Sequence, residues 1–205
     1  MWKNHKYLIL AAALLAVAAS RSLAQEAELL AVLRSESTRE QKSAACRHLA
    51  RVGTKEAVPV LAALLGDEEM SHMARYALET IPDPSADEAL RDALGKVPAR
   101  QRLGVIGSLG VRRDAKAVAP LAELLKQADT AGAAARALGN IGTSDAAKAL
   151  QDALPGASAA DRLAICEGLF RCAEKLAAEG GSKASQAIYD HLRGLADAPH
   201  QVRTA

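Results

Sequence analysis

The chain has 205 residues, of which 50% are hydrophobic and 24% are charged, and its 26 Lys and Arg side chains nearly balance its 24 Asp and Glu side chains. Because positive and negative side chains are nearly equal in number, the sequence indicates no basic surface that would bind nucleic acid or an anionic membrane. Aromatic residues make up only 2% of the chain, which argues against sites that stack rings on single-stranded nucleic acid or on sugars.

The first 24 residues have the pattern of a cleavable export signal. Two lysines precede an apolar run from Tyr7 to Ala19, which is too short to span a bilayer comfortably, and the small residues of Ser22–Ala24 suit a signal peptidase. We therefore expect a signal peptide at 1–24 and an exported protein, periplasmic or extracellular, that starts near Gln25. Removal of the signal peptide leaves 23 basic and 24 acidic side chains. The alternative is an uncleaved anchor helix.

Residues 25–36 are predicted to form an N-terminal capping helix. The run EAELLAVLR, from Glu26 to Arg34, is amphipathic and has no repeat partner ahead of it. Because the first helix of a stack must present one polar face to water, we expect Glu26, Glu28 and Arg34 to supply that face.

Residues 37–195 contain an internal repeat. Equivalent leucines recur at alternating steps of 29 and 31 residues, at Leu49, Leu78, Leu109, Leu138 and Leu169. Helix-capping residues follow the first four of them at a fixed distance, at Thr54, Asp83, Asp114 and Thr143, and alanines and further leucines follow those in the same phase. Each copy is therefore predicted to be a hairpin of two helices, which must stack on its neighbours to bury its apolar stripes.

The fourth copy shows the pattern most clearly. It reads AARALGNIGTSDAAKALQDAL from Ala134 to Leu154, so that one helix ends at Gly142 and Thr143 caps the next. These residues resemble the HEAT-repeat superfamily, and the ALGxIG unit is most similar to the short bacterial HEAT-like repeats of the phycobilisome-lyase type. The resemblance implies an all-α fold, a right-handed α-solenoid of about five helical hairpins. It does not fix an activity, because such arrays serve many partners.

The fifth copy departs from the pattern. Its first helix is predicted to begin after Ser158 and to continue to about Ala178, and its second helix is marked by Ile188, Leu192 and Leu195. Residues 196–205 look like the start of a further, truncated repeat. We therefore expect those three apolar residues to be partly uncovered, and self-association through this end of the array.

Residues with reactive or metal-binding side chains do not assemble into a known motif. Cys46 and Cys166 occupy the same position in repeats four stacking steps of about 10 Å apart, too far for a disulfide. We expect these two and Cys172 to be buried, inert thiols, with a redox or metal role as the alternative. The segment Glu68–Met73 offers copper ligand types, although a polar helix start with Met73 in the core is the favoured interpretation.

An arginine pair interrupts the third copy. Arg112 stands where the other copies carry Val52, Ile81 and Ile141, and Arg113 replaces a glycine or proline at the hairpin turn. Burial of an unpaired guanidinium is costly. One interpretation is a slip of one residue that turns Val111 inward and both arginines into water. The other is a partner- or anion-binding site formed by Arg112 and Arg113, or a pairing with an acid such as Asp83 or Asp114.

Together these patterns predict an exported, non-catalytic scaffold of HEAT-like repeats that binds a protein partner, with no catalytic residues, cofactor or metal. No P-loop, GxSxG, HExxH or CxxC motif occurs. Nucleic acid is not expected as a partner, nor a membrane after signal cleavage. An alternative is the accessory repeat region of a larger exported enzyme, and a weaker one is a lyase-like protein.

Overall fold

The structure, a computed structural model, describes residues 23–195, so the predicted signal segment up to residue 22 and the predicted further repeat at 196–205 lie outside the described residues. The described residues form α-helices joined by short turns and contain no β-strand. They include no helix that is both long and apolar enough to cross a bilayer. The all-α fold expected from the repeat is therefore confirmed.

The described residues contain helices in the following order. They are α1 (23–34), α2 (Arg39–Val52), α3 (Val58–Ala63), α4 (Ser71–Thr80), α5 (Pro84–Ala93), α6 (Ala99–Arg112), α7 (Val118–Leu124), α8 (Ala131–Ile141), α9 (Ser144–Ala153), α10 (Ala159–Ala178) and α11 (Ser182–Arg193). Short 3₁₀ turns lead into α3 and α7. The chain divides into two compact units at residues 86 and 87.

The repeat register predicted from the leucines is confirmed in both units. The reference leucines and the leucines twelve positions later are all 0% exposed: Leu49, Leu61, Leu78, Leu90, Leu109, Leu121, Leu138, Leu150 and Leu169. The capping residues also act as expected, since Thr54, Asp83, Asp114 and Thr143 each accept a hydrogen bond from a backbone N–H two or three residues ahead.

The first unit begins with α1, which packs Leu30 and Leu33 into its core. The expectation that Glu26 faces water is wrong, because this residue is only 3% exposed. Its carboxylate accepts hydrogen bonds from the backbone N–H of Thr54, at 2.7 Å, and from the Thr54 hydroxyl. These hydrogen bonds offset the cost of burying the carboxylate. They also connect α1 to the residue that caps the second helix of the first repeat.

In the second unit, α8 packs between α6 and α10. These first helices of successive repeats approach closely because glycine and alanine line the contacts. A Cβ atom added to Gly139 would lie 2.7 Å from the Cα of Gly168, and one added to Gly110 would lie 2.8 Å from the Cα of Ala137. The tight stacking expected from the small residues is confirmed at these positions.

The fifth repeat has the predicted long first helix, α10, capped by Ser158. The expected exposure of its second helix is wrong for two of the three residues. Ile188 is 4% and Leu192 is 1% exposed, and only Leu195 is half-buried. Helix α11 packs against α10, the first helix of the same hairpin.

Candidate functional site

The turn of the third repeat contains the two arginines singled out in the sequence. Helix α6 ends at Arg112, and Arg113 takes the left-handed conformation, with φ 54° and ψ 41°. Val111 is 57% exposed, whereas the Arg112 side chain is only 9% exposed. The proposed slip of one residue is therefore wrong, because Val111 points outward and Arg112 takes the interior position.

Arg112 is buried as half of an ion pair with Asp87 on α5. Its Nε donates a hydrogen bond to Asp87 Oδ1 at 2.5 Å, and its Nη2 donates to Asp87 Oδ2 at 3.0 Å. This two-pronged geometry is the one in which guanidinium and carboxylate groups bind most strongly. It explains how a charged residue fills a position that is apolar in the other repeats.

Of the two acids proposed as partners for Arg112, Asp114 instead forms an ion pair with Arg91. The side chain of Asp83 caps α5, and that of Asp114 also caps the turn before α7. Asp87 and Arg91 stand one turn apart on α5 and therefore share a face. Two ion pairs thus link α5 to the turn of the third repeat. In one of them α5 supplies the acid, and in the other it supplies the base.

Arg113, by contrast, is exposed and lines a groove of about 610 Å³. This basic groove is lined by the ends of α6 and α8 and by α10. Its lining includes one exposed apolar residue, Val111, and the polar or charged residues Arg113, Asn140, Arg171, Glu174, Lys175 and Glu179. Because α6, α8 and α10 belong to consecutive repeats, a ligand in the basic groove would contact three repeats at once.

Two of the three cations in the basic groove are held by neighbours. Arg171 Nη1 donates to Asn140 Oδ1 at 2.9 Å. Lys175 Nζ donates to the carbonyl of Ile141 at 2.6 Å, at the end of α8, and lies 3.9 Å from Glu179. The side chain of Arg113 forms no hydrogen bond or ion pair within residues 23–195. It is therefore the cation most available to a ligand.

A second groove, of about 840 Å³, lies between α7 and α9. This small-residue groove has alanines along its walls, among them Ala119, Ala122 and Ala149. Its charged side chains include two pairs that neutralise one another, Lys126 with Glu123 and Lys148 with Asp152. It offers space and apolar contact, without an excess of either charge.

Sequence comparison now connects this architecture to a family. Residues 26–110 match the family described as HEAT repeats, and residues 131–154 match the PBS lyase HEAT-like repeat. The chain therefore contains HEAT-like repeats. Among solved structures, the crystal structure of an engineered protein from the Northeast Structural Genomics Consortium is 21% identical, with a TM-score of 0.50 over 88% of this chain and 92% of that chain. At this identity the likeness supports the fold alone. No curated protein matches the chain.

The cysteines of the HEAT array are buried and free of disulfides, as expected. Burial raises the pKa of the Cys46 thiol to about 11 and that of Cys172 to about 12, and it also raises the pKa of Cys166. Thiols of this kind are poor nucleophiles at neutral pH.

The segment with copper ligand types, Glu68–Met73, lies at the start of α4. Within residues 23–195, no group of three or more His, Cys, Asp and Glu side chains is placed to hold a metal ion. Met73, which was expected to lie in the core, is only half-buried, whereas Met70 is 5% exposed. The helix begins at Ser71, so that Met70, at its start, is the side chain that points inward.

Sequence reasoning identified Arg113 but missed the residues that surround it. Arg171 and Lys175 stand one turn apart on α10, and this spacing on a predicted helix was a usable signal for a basic stripe. The sequence pattern did not reveal where α10 lies relative to the turn of the third repeat. Only the stacking of α6, α8 and α10 places the three cations in one groove.

Proposed function

We propose that this protein with HEAT-like repeats is an exported, non-catalytic scaffold that binds another protein. The observation that carries the proposal is the basic groove, which runs across three consecutive repeats and exposes side chains from each. A site of this extent suits an extended segment of a partner protein, which can contact several repeats in succession.

The rigid backing of the groove supports the same function. Helices α6, α8 and α10 are in contact through glycine and alanine, so their backbones have little room to move against one another. A preorganised surface loses less conformational entropy when a partner binds. The raised pKa of the buried thiols argues against catalysis by a cysteine nucleophile, because it keeps these thiols protonated.

Site-specific photo-crosslinking in the cells that make the protein tests partner binding. A photoreactive amino acid at Val111, in the basic groove, should yield a covalent adduct with another protein. The same group at Leu103, which is 42% exposed on the same helix but outside the groove, is the matched control. A third probe at Ala119 reports on the small-residue groove. Absence of a protein adduct at both Val111 and Ala119 would contradict the scaffold function.

Export is tested separately. Secreted or periplasmic material should have the intact mass of a chain that starts near Gln25, because the small residues at Ser22–Ala24 suit signal peptidase. A mass that retains residues 1–24 would contradict cleavage of the signal.

A further inference from the structure

We infer that the basic groove binds an acidic segment of the partner protein, with Arg113 as its main contact. This inference rests on the proposed scaffold function and adds the chemistry of the partner and the residues that recognise it.

The backbone of Arg113 has an unusual conformation. Among residues 23–195, Arg113 is the only residue other than glycine with a positive φ. The equivalent residue of the fourth repeat is Gly142, with φ 69°. Glycine takes this conformation without the steric strain that a side chain causes. Arginine at this position therefore makes the fold less stable than glycine would.

That cost is not offset inside the fold. The Arg113 side chain is exposed and makes no hydrogen bond or ion pair with the described residues. Strained residues of this kind concentrate at sites where another molecule uses them. Arg113 lines the basic groove, which is where such a molecule would bind.

The charges of the basic groove favour carboxylates. Three cations, Arg113, Arg171 and Lys175, line it with two acids, Glu174 and Glu179. Arg171 donates to Asn140 through Nη1 alone, and a guanidinium has five N–H donors, so donors remain for a ligand. Two arginines with free donors can each hold a carboxylate in the two-pronged geometry that Arg112 and Asp87 already show.

Val111 adds an apolar contact to this charge. It is 57% exposed and lies directly before the arginine pair, on the lining of the basic groove. The chemistry that fits is a peptide in which acidic side chains flank an aliphatic one. Glu174 and Glu179 disfavour a dense polyanion such as nucleic acid, because a continuous phosphate backbone would meet both carboxylates.

A fluorescent twelve-residue peptide of alternating glutamate and leucine is the probe, and its anisotropy is measured against the full chain. Arg113→Gly and Arg171→Gln should each weaken binding about three- to tenfold, and the double variant should weaken it at least tenfold, because each removes one charge-assisted contact. Raised salt should also weaken binding. Lys116→Ala removes the same charge from the small-residue groove and should leave the affinity within about twofold.

Three outcomes would overturn the inference: no saturable binding of the peptide, an equal loss with Lys116→Ala, or displacement of the peptide by single-stranded DNA or inorganic phosphate at comparable concentration. Crosslinks at Ala119 without peptide binding would refute the acidic-segment inference alone and leave the scaffold function intact. Absence of crosslinks at both positions would refute the scaffold function itself.

Discussion

The turns of the third and fourth repeats have similar backbones and different chemistry. In the fourth repeat, Ile141 fills the interior, Gly142 takes the left-handed conformation and Thr143 caps the next helix. In the third repeat, Arg112, Arg113 and Asp114 perform the same three tasks. The comparison shows that the hairpin needs a filled interior position, a residue with positive φ and a capping oxygen, and that a given residue type is not required.

The two solutions differ in what they depend on. Ile141 is 0% exposed and needs only apolar neighbours. Arg112 forms a two-pronged ion pair with Asp87, and loss of this carboxylate would remove charge that compensates the largely buried guanidinium. The third repeat is therefore more sensitive to loss of one partner, although its ion pairs need not make it more stable than the fourth.

The largest effect is expected where the two repeats are alike. Leu109→Ala and Leu138→Ala should each lower the free energy of unfolding by about 2–5 kcal/mol, since both side chains are fully buried. Gln151→Ala, a half-buried helix residue, should change it by less than about 0.5 kcal/mol. Urea unfolding measures all three. A small effect at one leucine only would show that the repeats are not equivalent.

The next effect separates the two turns. Asp87→Ala should cost about 1–3 kcal/mol, because it leaves Arg112 largely buried without its two-pronged partner. Arg112→Ile in the Asp87→Ala background should recover most of that loss, since isoleucine is the residue of the fourth repeat. A double-mutant cycle gives the coupling. Additive single and double effects would mean that the ion pair does not hold Arg112 in place.

Much of the fold could be predicted from sequence because it is local. Leucine spacing sets which face of each helix is buried, and the capping residues Thr54, Asp83, Asp114 and Thr143 mark where second helices begin. The burial of Glu26 could not be predicted, since it depends on Thr54, which lies in the turn after α2. Asp87 was missed as a partner of Arg112 for the same reason: sequence indicates that an acid is required, but packing brings Asp87 to the guanidinium.

A smaller effect is expected at the glycine of the fourth repeat. Gly142→Ala should cost about 1–2 kcal/mol, because a side chain at φ 69° is strained and its Cβ would lie 2.5 Å from Cδ of Lys175. Gly156→Ala is a control, since an added Cβ there meets nothing within 4 Å. Thermal unfolding compares them. Equal changes at both glycines would show that the left-handed turn is not a specific requirement.

The smallest expected change tests the central claim most directly, that the third repeat gives up stability at Arg113 in order to bind a partner. Arg113→Gly should raise the free energy of unfolding by about 0.5–1 kcal/mol, because glycine removes the strain of the positive φ. In the same preparation, the affinity for the acidic peptide should fall about three- to tenfold. Greater stability together with weaker binding is the predicted result. Lower stability, or unchanged affinity, would contradict the claim.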